Sequence, residues 1–448
     1  MSQIHEALAS LFEDGGRSVL AEGGLGSDWV TALSSVPPEV LDLAVESDLA
    51  FHQLVALRNF WSAQRDLQPA IALTRGLLRL RVARSGHRDP DTLMELGALG
   101  ALAQRAGKFE EGGQLLQKAF KAMQEVADED DVRVAVVASN LARHWIHLGK
   151  LDKAEAALEL AYDLRKRSAA GTEAMAAAQL GEVKSRRGDP EGALPLLKSA
   201  WMALRTELGD DHGKTMGRAQ AYSLTLIKLD RHSEAVMPLR QVYAWAKKRG
   251  NGELRALASF HLGVALDQTG AREEGWRHVE EAIRSTREMG DGEGLPHPNL
   301  ASRLSTYAGM QLRKGRVGEA EGLLMEALEA ERRLFGDSSV DVASRYATLG
   351  YFYARQGRTA EAMGWLDPAA SLMRSAVGDT HPKTRVVVDY QAGMLIAQVE
   401  RAAAQRKRDL ARELVMRAWT LASPVLGFKS AKVRRIRELA EQLGFRLG

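Results

Sequence analysis

The chain has 448 residues, of which 45% are hydrophobic and 27% charged, a composition typical of a soluble globular protein. It contains no cysteine, which excludes disulfide bonds and thiolate metal sites and favours a reducing, cytoplasmic compartment. No run of 18 apolar residues occurs and the amino terminus has no basic, apolar leader, so we expect neither a membrane span nor export.

The net charge of +3 is distributed unevenly along the chain. Residues 1–60 hold nine acids and two bases, whereas residues 400–448 hold twelve bases and five acids. This asymmetry favours head-to-tail self-association or recruitment of an acidic partner. It also fits two solvated ends that simply differ in composition, so both interpretations stay open.

Residues 1–49 precede the regular part of the sequence. Ile4, Leu8 and Leu11 lie at helical spacing and predict a short amphipathic helix. The stretch from Leu11 to Leu25 is similar to bacterial death-like adaptor modules. We therefore expect this segment to be either a helical cap over the first repeat or a small adaptor segment.

A helical repeat follows over residues 50–425, and residues 334–362 show its unit most clearly. Val342, Leu349 and Tyr353 lie at helical spacing and predict one amphipathic helix. Gly357 ends this helix, because glycine adopts the left-handed cap without a Cβ penalty. Ala362 then falls in a second helix, where its small side chain allows the two helices to approach closely.

The same turn position recurs every 39–49 residues, with a small residue five positions after it. The turn residues are Arg65, Gly107, Gly149, Gly188, Asp230, Gly270, Gly315, Gly357 and Arg406. The small residues are Ala70, Gly112, Ala154, Ala193, Ala235, Gly275, Ala320, Ala362 and Ala411. A period of this length predicts about nine helix pairs, each packed on its neighbours.

These residues resemble the tetratricopeptide repeat in the 42-residue form found in kinesin light chains and many bacterial proteins. The matching motifs are Gly336-Asp337, Gly378-Asp379-Thr380-His381-Pro382 and Gly149-Lys150 followed by Lys153-Ala154-Glu155. The resemblance implies an all-α, right-handed α-solenoid that binds peptides or proteins and rarely catalyses a reaction. Arg65 and Asp230 depart from the pattern, because neither is the expected turn glycine.

In the family that the chain resembles, the first helix of each pair lines a concave groove. The residues expected to form a partner-binding groove here are Arg105, Arg143, His147, Arg186, Lys228, Gln268, Arg313, Tyr351 and Arg355. Most of them are basic and stand two residues before a turn, so a ladder of cations could hold an acidic segment or a carboxylate terminus. Bases at helix carboxyl ends also complement the helix dipole, by about 0.3–1 kcal/mol each.

The sequence offers little support for catalysis or cofactor binding. His144 and His147 lie three residues apart on a helix, but no His-Glu-x-x-His motif accompanies them. Gly97 and Gly100 are expected to pack helices rather than to form a phosphate loop. We predict no catalytic residue, no metal site and no cofactor.

Residues 426–448 predict a basic capping helix. Its bases are Lys429, Lys432, Arg434, Arg435 and Arg437. Contact with nucleic acid is an alternative role for these bases, although no aromatic residue stands among them to stack on bases.

We therefore predict a cytoplasmic, non-catalytic scaffold or adaptor that binds a partner protein or peptide. The bases of the groove would favour an acidic partner. Two alternatives stay open. The first is a ligand- or peptide-responsive regulatory subunit of a larger complex. The second is an accessory protein that contacts nucleic acid through its basic carboxyl-terminal end.

Overall fold

A computed structural model describes residues 54–55, 58–63, 67–168, 173–290 and 294–447. Over these ranges the chain forms helices and turns and contains no β-strand, which confirms the all-α helical repeat. The predicted segment 1–49 and the turn at Arg65 lie outside the described residues. The helices are α1 (Gln68–Ser85), α2 (Pro90–Arg105), α3 (Phe109–Val126), α4 (Val132–His147), α5 (Leu151–Arg167), α6 (Glu173–Arg187), α7 (Pro190–Leu208), α8 (Gly213–Lys228), α9 (His232–Lys248), α10 (Gly252–Gln268), α11 (Arg272–Glu288), α12 (Leu300–Arg313), α13 (Val317–Phe335), α14 (Val340–Arg355), α15 (Thr359–Val377), α16 (Pro382–Ala404), α17 (Arg408–Leu426) and α18 (Ala431–Gln442).

The chain divides into two compact units, Met1–Glu234 and Ala235–Gly448. The first contains α1–α8 and the second α10–α18, and the division falls within α9. Inside each unit every helix packs on the next one along the chain. In the first unit the first helices of neighbouring pairs also touch, since α2 contacts α4, α4 contacts α6 and α6 contacts α8. The domain boundaries at 49 and 425 stay predictions.

The predicted turn residues adopt the left-handed backbone conformation wherever the structure describes them. Their φ angles lie between +55° and +95°, and Asp230 (+55°) and Arg406 (+59°) adopt this conformation without being glycine. The backbone requirement of the tight turn therefore overrides the residue preference at these two positions. The turn at Asp230 is as well formed as its neighbours.

Small residues lie where paired helices cross. Ala320 and Ala362 have no exposed surface, which confirms their predicted burial. A Cβ added at Gly350 of α14 would lie 2.5 Å from Cγ of Leu366 in α15. The crossing thus leaves no room for a methyl group at that glycine, because non-bonded carbon atoms prefer about 3.5–4.0 Å.

Among the described helices of the second unit, α16 is the longest. It has 23 residues, whereas α14 has 16. Ser339 and His381 begin these two helices, each accepting a hydrogen bond from a backbone N–H of the first turn. Because the helix starts are 42 residues apart, α16 keeps the repeat period and gains its extra length at its carboxyl end. Among the described helices, none has the length and apolar character needed to cross a membrane.

Candidate partner-binding groove

A groove of about 740 Å³ lies in the second unit, where α12, α14 and α16 face one another. We call it the α14 groove. Its apolar lining includes Leu312, Phe352 and Val386, and the side chain of Val386 is exposed. Leu426 and Ser430, from the segment that leads from α17 into α18, complete the lining on the carboxyl-terminal side.

The face that α14 turns toward the groove follows from its sequence period. Val342, Leu349 and Tyr353 are buried on the core side, as their spacing predicts. Tyr351 and Arg355 are four residues apart, so they share a different face of the helix. Both line the α14 groove, which brings together two of the predicted site residues.

Tyr351 supplies a hydrogen-bond donor to the α14 groove. Its hydroxyl oxygen is buried and has no hydrogen-bond partner among the described residues. Its ring meets the ring of Tyr390 edge-on, with the centroids 4.5 Å apart. Burial, together with the nearby Tyr390 and Asp389, raises the pKa of Tyr351 above its ordinary value. The hydroxyl thus stays protonated at neutral pH and can donate to a bound oxygen.

Two arginines add positive charge to the same groove. Arg355 and Arg385 are exposed, and neither guanidinium group makes an ion pair or hydrogen bond within the part of the chain that the structure describes. The one carboxylate in the lining, Asp389, accepts a hydrogen bond from Nζ of Lys432 at 2.7 Å. The α14 groove therefore offers free donors and unpaired cations to a ligand.

Two of the predicted groove bases have partners in the preceding repeat. Arg105 donates from Nη2 to the carbonyl oxygen of Ser62 at 2.7 Å. Lys228 donates from Nζ to the carbonyl oxygen of Ser185 at 3.1 Å and to its hydroxyl at 2.9 Å. In the sequence, Ser62 and Ser185 each stand three residues before a predicted turn position, Arg65 and Gly188. Both bases donate to a backbone carbonyl oxygen, and Lys228 does so near the carboxyl end of α6, as the helix-dipole interpretation predicts.

Arg313 forms a related bridge through a side chain. It pairs with the carboxylate of Asp267, whose side chain is only 2% exposed. The same carboxylate accepts a hydrogen bond from Nε1 of Trp276 at 3.1 Å. Arg313 is therefore part of the structural link between α10, α11 and α12.

The remaining predicted residues lie outside the α14 groove. Arg143, Arg186 and Gln268 are exposed, and their side chains form no ion pair or hydrogen bond with any described residue. His147 stacks on Phe109, with ring centroids 3.9 Å apart. A continuous cationic surface through all these positions stays a prediction.

His144 belongs to the packing of the first unit. It is 3% exposed, and a Cβ added at Gly113 would lie 2.1 Å from its ring. Burial lowers the pKa of His144 below its ordinary 6.5, so the ring is neutral at pH 7. Within the described ranges, no three histidine or acidic side chains lie close enough together to hold a metal ion.

The basic helix α18 has different surroundings from those expected. Lys432 and Arg435 form ion pairs with carboxylates of α16, at 2.7 and 2.8 Å. Arg437 lies over the rings of Trp419 and Phe428, at 5.4 and 5.8 Å from their centroids. No aromatic residue stands among these bases in the sequence, but folding brings Trp419 of α17 beside the helix. The unpaired basic surface of α18 is also smaller than the sequence suggests.

Sequence reasoning missed the contribution of α16 to the groove. Arg385 and Tyr390 both line it, although neither occupies a position that the turn alignment singles out. Counting back from Arg406 misplaces these residues, because the extra length of α16 separates them from their turn. Counting forward from the helix start would have restored the register.

Comparison with known families and structures supports the assignment of the helical repeat. Sequence models of the tetratricopeptide repeat match residues 91–167 and 342–383. The second match spans 42 residues, the length of the unit found between successive turns. Among curated proteins, none matches the chain in sequence.

Several solved structures are similar over part of the chain. The crystal structure of Podosopora anserina putative kinesin light chain nearly identical TPR-like repeats is 18% identical, covers 45% of this chain and 99% of that chain, and has a TM-score of 0.40. BtubC (BKLC) from P. vanneervenii is 17% identical, covers 54% and 92%, and has a TM-score of 0.41. The apo form of the quorum sensor NprR from B. thuringiensis is 12% identical, covers 80% and 99%, and has a TM-score of 0.49. At these values the similarity does not extend to function.

Proposed function

Because this chain is a tetratricopeptide repeat protein, we propose that it is a non-catalytic scaffold or adaptor that binds a partner protein or peptide in the α14 groove. One observation carries the proposal. The groove combines an apolar lining with a buried, unpartnered Tyr351 hydroxyl and the unpaired Arg355 and Arg385. Sites that bind ligands typically join an apolar cavity to a few polar groups that fix orientation.

The free groups of the groove favour an acidic partner. Tyr351 and the two arginines are donors, and Lys432 occupies the single carboxylate of the lining. A side-chain or terminal carboxylate would meet charge-assisted hydrogen bonds there, which are about twice as strong as neutral ones. The absence of cysteine supports the proposed cytoplasmic location.

A ligand-responsive regulatory subunit is the second candidate function. The volume of about 740 Å³ supports it, because this value falls within the range of about 300–1,000 Å³ that is usual for small-molecule sites. A small acidic molecule would use the same donors as an acidic side chain. Peptide binding and small-molecule binding would therefore use the same site, and the same variants of that site test both.

The test is a selection of random displayed peptides on the purified chain. We expect enrichment of Asp and Glu next to an apolar residue, followed by at least a roughly tenfold loss of affinity in the R355E/R385E variant. The control variant is R401E/R434E, which reverses two charges that lie outside the groove and have no partner among the described residues. Exposed charges contribute about 0–1 kcal/mol to stability, so both variants should keep the wild-type melting temperature within a few degrees.

Two results would contradict the proposal. One is a set of selected peptides without acidic enrichment. The other is equal affinity of the wild type, R355E/R385E and R401E/R434E for the peptides that were selected. Competition between a selected peptide and a small dicarboxylic acid would separate the two candidate functions.

A further inference from the structure

Three arginines occupy one equivalent position in their repeats, twelve residues before the turn. They are Arg218, Arg303 and Arg345. Arg345 donates to Glu331 from Nε at 3.1 Å and from Nη2 at 2.6 Å. Arg218 pairs with Glu182. In two of the three repeats, a carboxylate therefore balances the guanidinium charge.

Arg303 has no such partner. It is 3% exposed, and among the described residues no carboxylate lies within ion-pair distance of it. Its Nη1 donates to the hydroxyl oxygen of Thr286. That hydroxyl in turn donates its own hydrogen to the carbonyl oxygen of Ala282 at 2.5 Å. Thr286 therefore offers Arg303 a lone pair and no charge.

Comparison of the two neighbouring interfaces shows what is missing. Thr286 of α11 occupies the repeat position that Glu331 occupies in α13, and Phe260 of α10 occupies that of Ser305 in α12. Arg345 bonds to both Glu331 and Ser305. The ring centroid of Phe260 lies 5.7 Å from the guanidinium carbon of Arg303. Arg345 thus has a carboxylate and a serine hydroxyl as neighbours, whereas Arg303 has a threonine hydroxyl and an aromatic ring.

The charge of Arg303 affects the pKa values of two nearby histidines. Burial and then Arg303 lower the pKa of His261 to about 4, and the same two causes lower the pKa of His297. Burial lowers the pKa of Arg303 itself, and the more distant Glu253 offsets part of this effect. A buried cation without a counter-ion is costly, and native proteins normally pair it or bind an ion there.

We propose that the interface between α11 and α12 binds one small oxyanion on Arg303, in the place that the Glu331 carboxylate takes one repeat later. The next interface shows that the stacking of repeats has room for such a group. Arg345 and Glu331 are enclosed there, with side chains 12% and 11% exposed. Threonine is shorter than glutamate and brings no carboxylate, so the proposed carboxylate or phosphate would bind Arg303 beside Thr286.

The experiment measures melting temperature and heat of binding for the full chain, with inorganic phosphate and acetate added at constant ionic strength. We expect one site per chain and a rise in melting temperature of about 2–4 °C for whichever anion fits. The T286E variant carries its own carboxylate, so it should melt higher without an anion and lose the response. The R303M variant should also lose the response.

Glu331→Thr provides a gain-of-site control. It recreates at Arg345 the neighbour that Arg303 has, and we expect a second anion response in this variant. The proposal is overturned if neither anion affects the wild type. It is equally overturned if wild type, T286E and R303M respond alike, because the effect would then be a general salt effect. R303M keeps the test decisive if the larger side chain of T286E disturbs folding.

Discussion

Adding one methyl group at Gly350 is expected to destabilise the pair of helices that carries the α14 groove. The new Cβ would lie 2.5 Å from Cγ and 2.7 Å from Cδ2 of Leu366, and 3.2 Å from the carbonyl oxygen of Ala362. Leu366 is fully buried and Cγ is its branch point, so no rotation of a side-chain tip relieves the overlap. The helix α14 must move away from α15 instead.

The size of the effect follows from two opposing terms. Replacing a helical glycine with alanine stabilises by about 0.5–1 kcal/mol. Overpacking a buried contact costs about 1–3 kcal/mol. We therefore expect Gly350→Ala to lower the free energy of unfolding by about 1 kcal/mol, within a range of about 0–2.5 kcal/mol.

Gly364 of α15 is the matched control, since a Cβ added there meets no atom within 4 Å. Gly364→Ala should stabilise by about 0.5–1 kcal/mol, because only the helix-propensity term remains. Urea titration followed by circular dichroism would give both unfolding midpoints. If Gly350→Ala unfolds at the same urea concentration as Gly364→Ala, or at a higher one, the close approach of the two helices is refuted.

Three further changes have predicted outcomes. Arg406→Gly should raise stability by about 1 kcal/mol in urea titration, because Arg406 has φ +59° and a non-glycine residue pays about 1–2 kcal/mol there. His144→Gln should reduce the fall in melting temperature below pH 6.5. Because burial lowers the pKa of His144 in the folded state, its contribution to the stability of the wild type is complete above pH 6.5. Below that pH the contribution is lost, since the unfolded chain binds the proton first. Arg313→Met should cost about 3–5 kcal/mol in thermal unfolding, because it leaves the buried Asp267 carboxylate without its cation, whereas Asp267→Asn should cost less because Arg313 is about half exposed and stays hydrated.

The helical repeat was predictable because its determinants are local. A left-handed turn and a small residue at a helix crossing are needs of the backbone, so they recur at a fixed spacing. Ala362 and Gly357 show both needs within one repeat. Asp230 shows that the spacing is more informative than the residue type, because it follows Gly188 by 42 residues and adopts the glycine conformation.

The candidate site was only partly predictable because side-chain partners come from other repeats. Arg105 and Arg355 occupy the same repeat position, yet one bonds to Ser62 and the other has no described partner. The difference depends on the neighbouring repeat, 43 residues away in the first case. Tyr351 was identified from its position, but its unpartnered hydroxyl depends on how α14 meets α16.

The extra length of α16 changes the length of the helix without changing the angular phase of the turn that follows, although these two properties usually change together. Seven added residues make nearly two helical turns, so they lengthen the helix by about 10 Å and leave its angular phase almost unchanged. The early part of α16 can therefore keep its role in the groove, while Gln398 and Arg401 of the added part line another cleft, of about 650 Å³, beside α15 and α17. An insertion of five residues at this place would instead rotate the following turn by about 140° and disrupt the packing of α17. Repeats of this chain can thus acquire a second surface in steps of seven residues without altering the first.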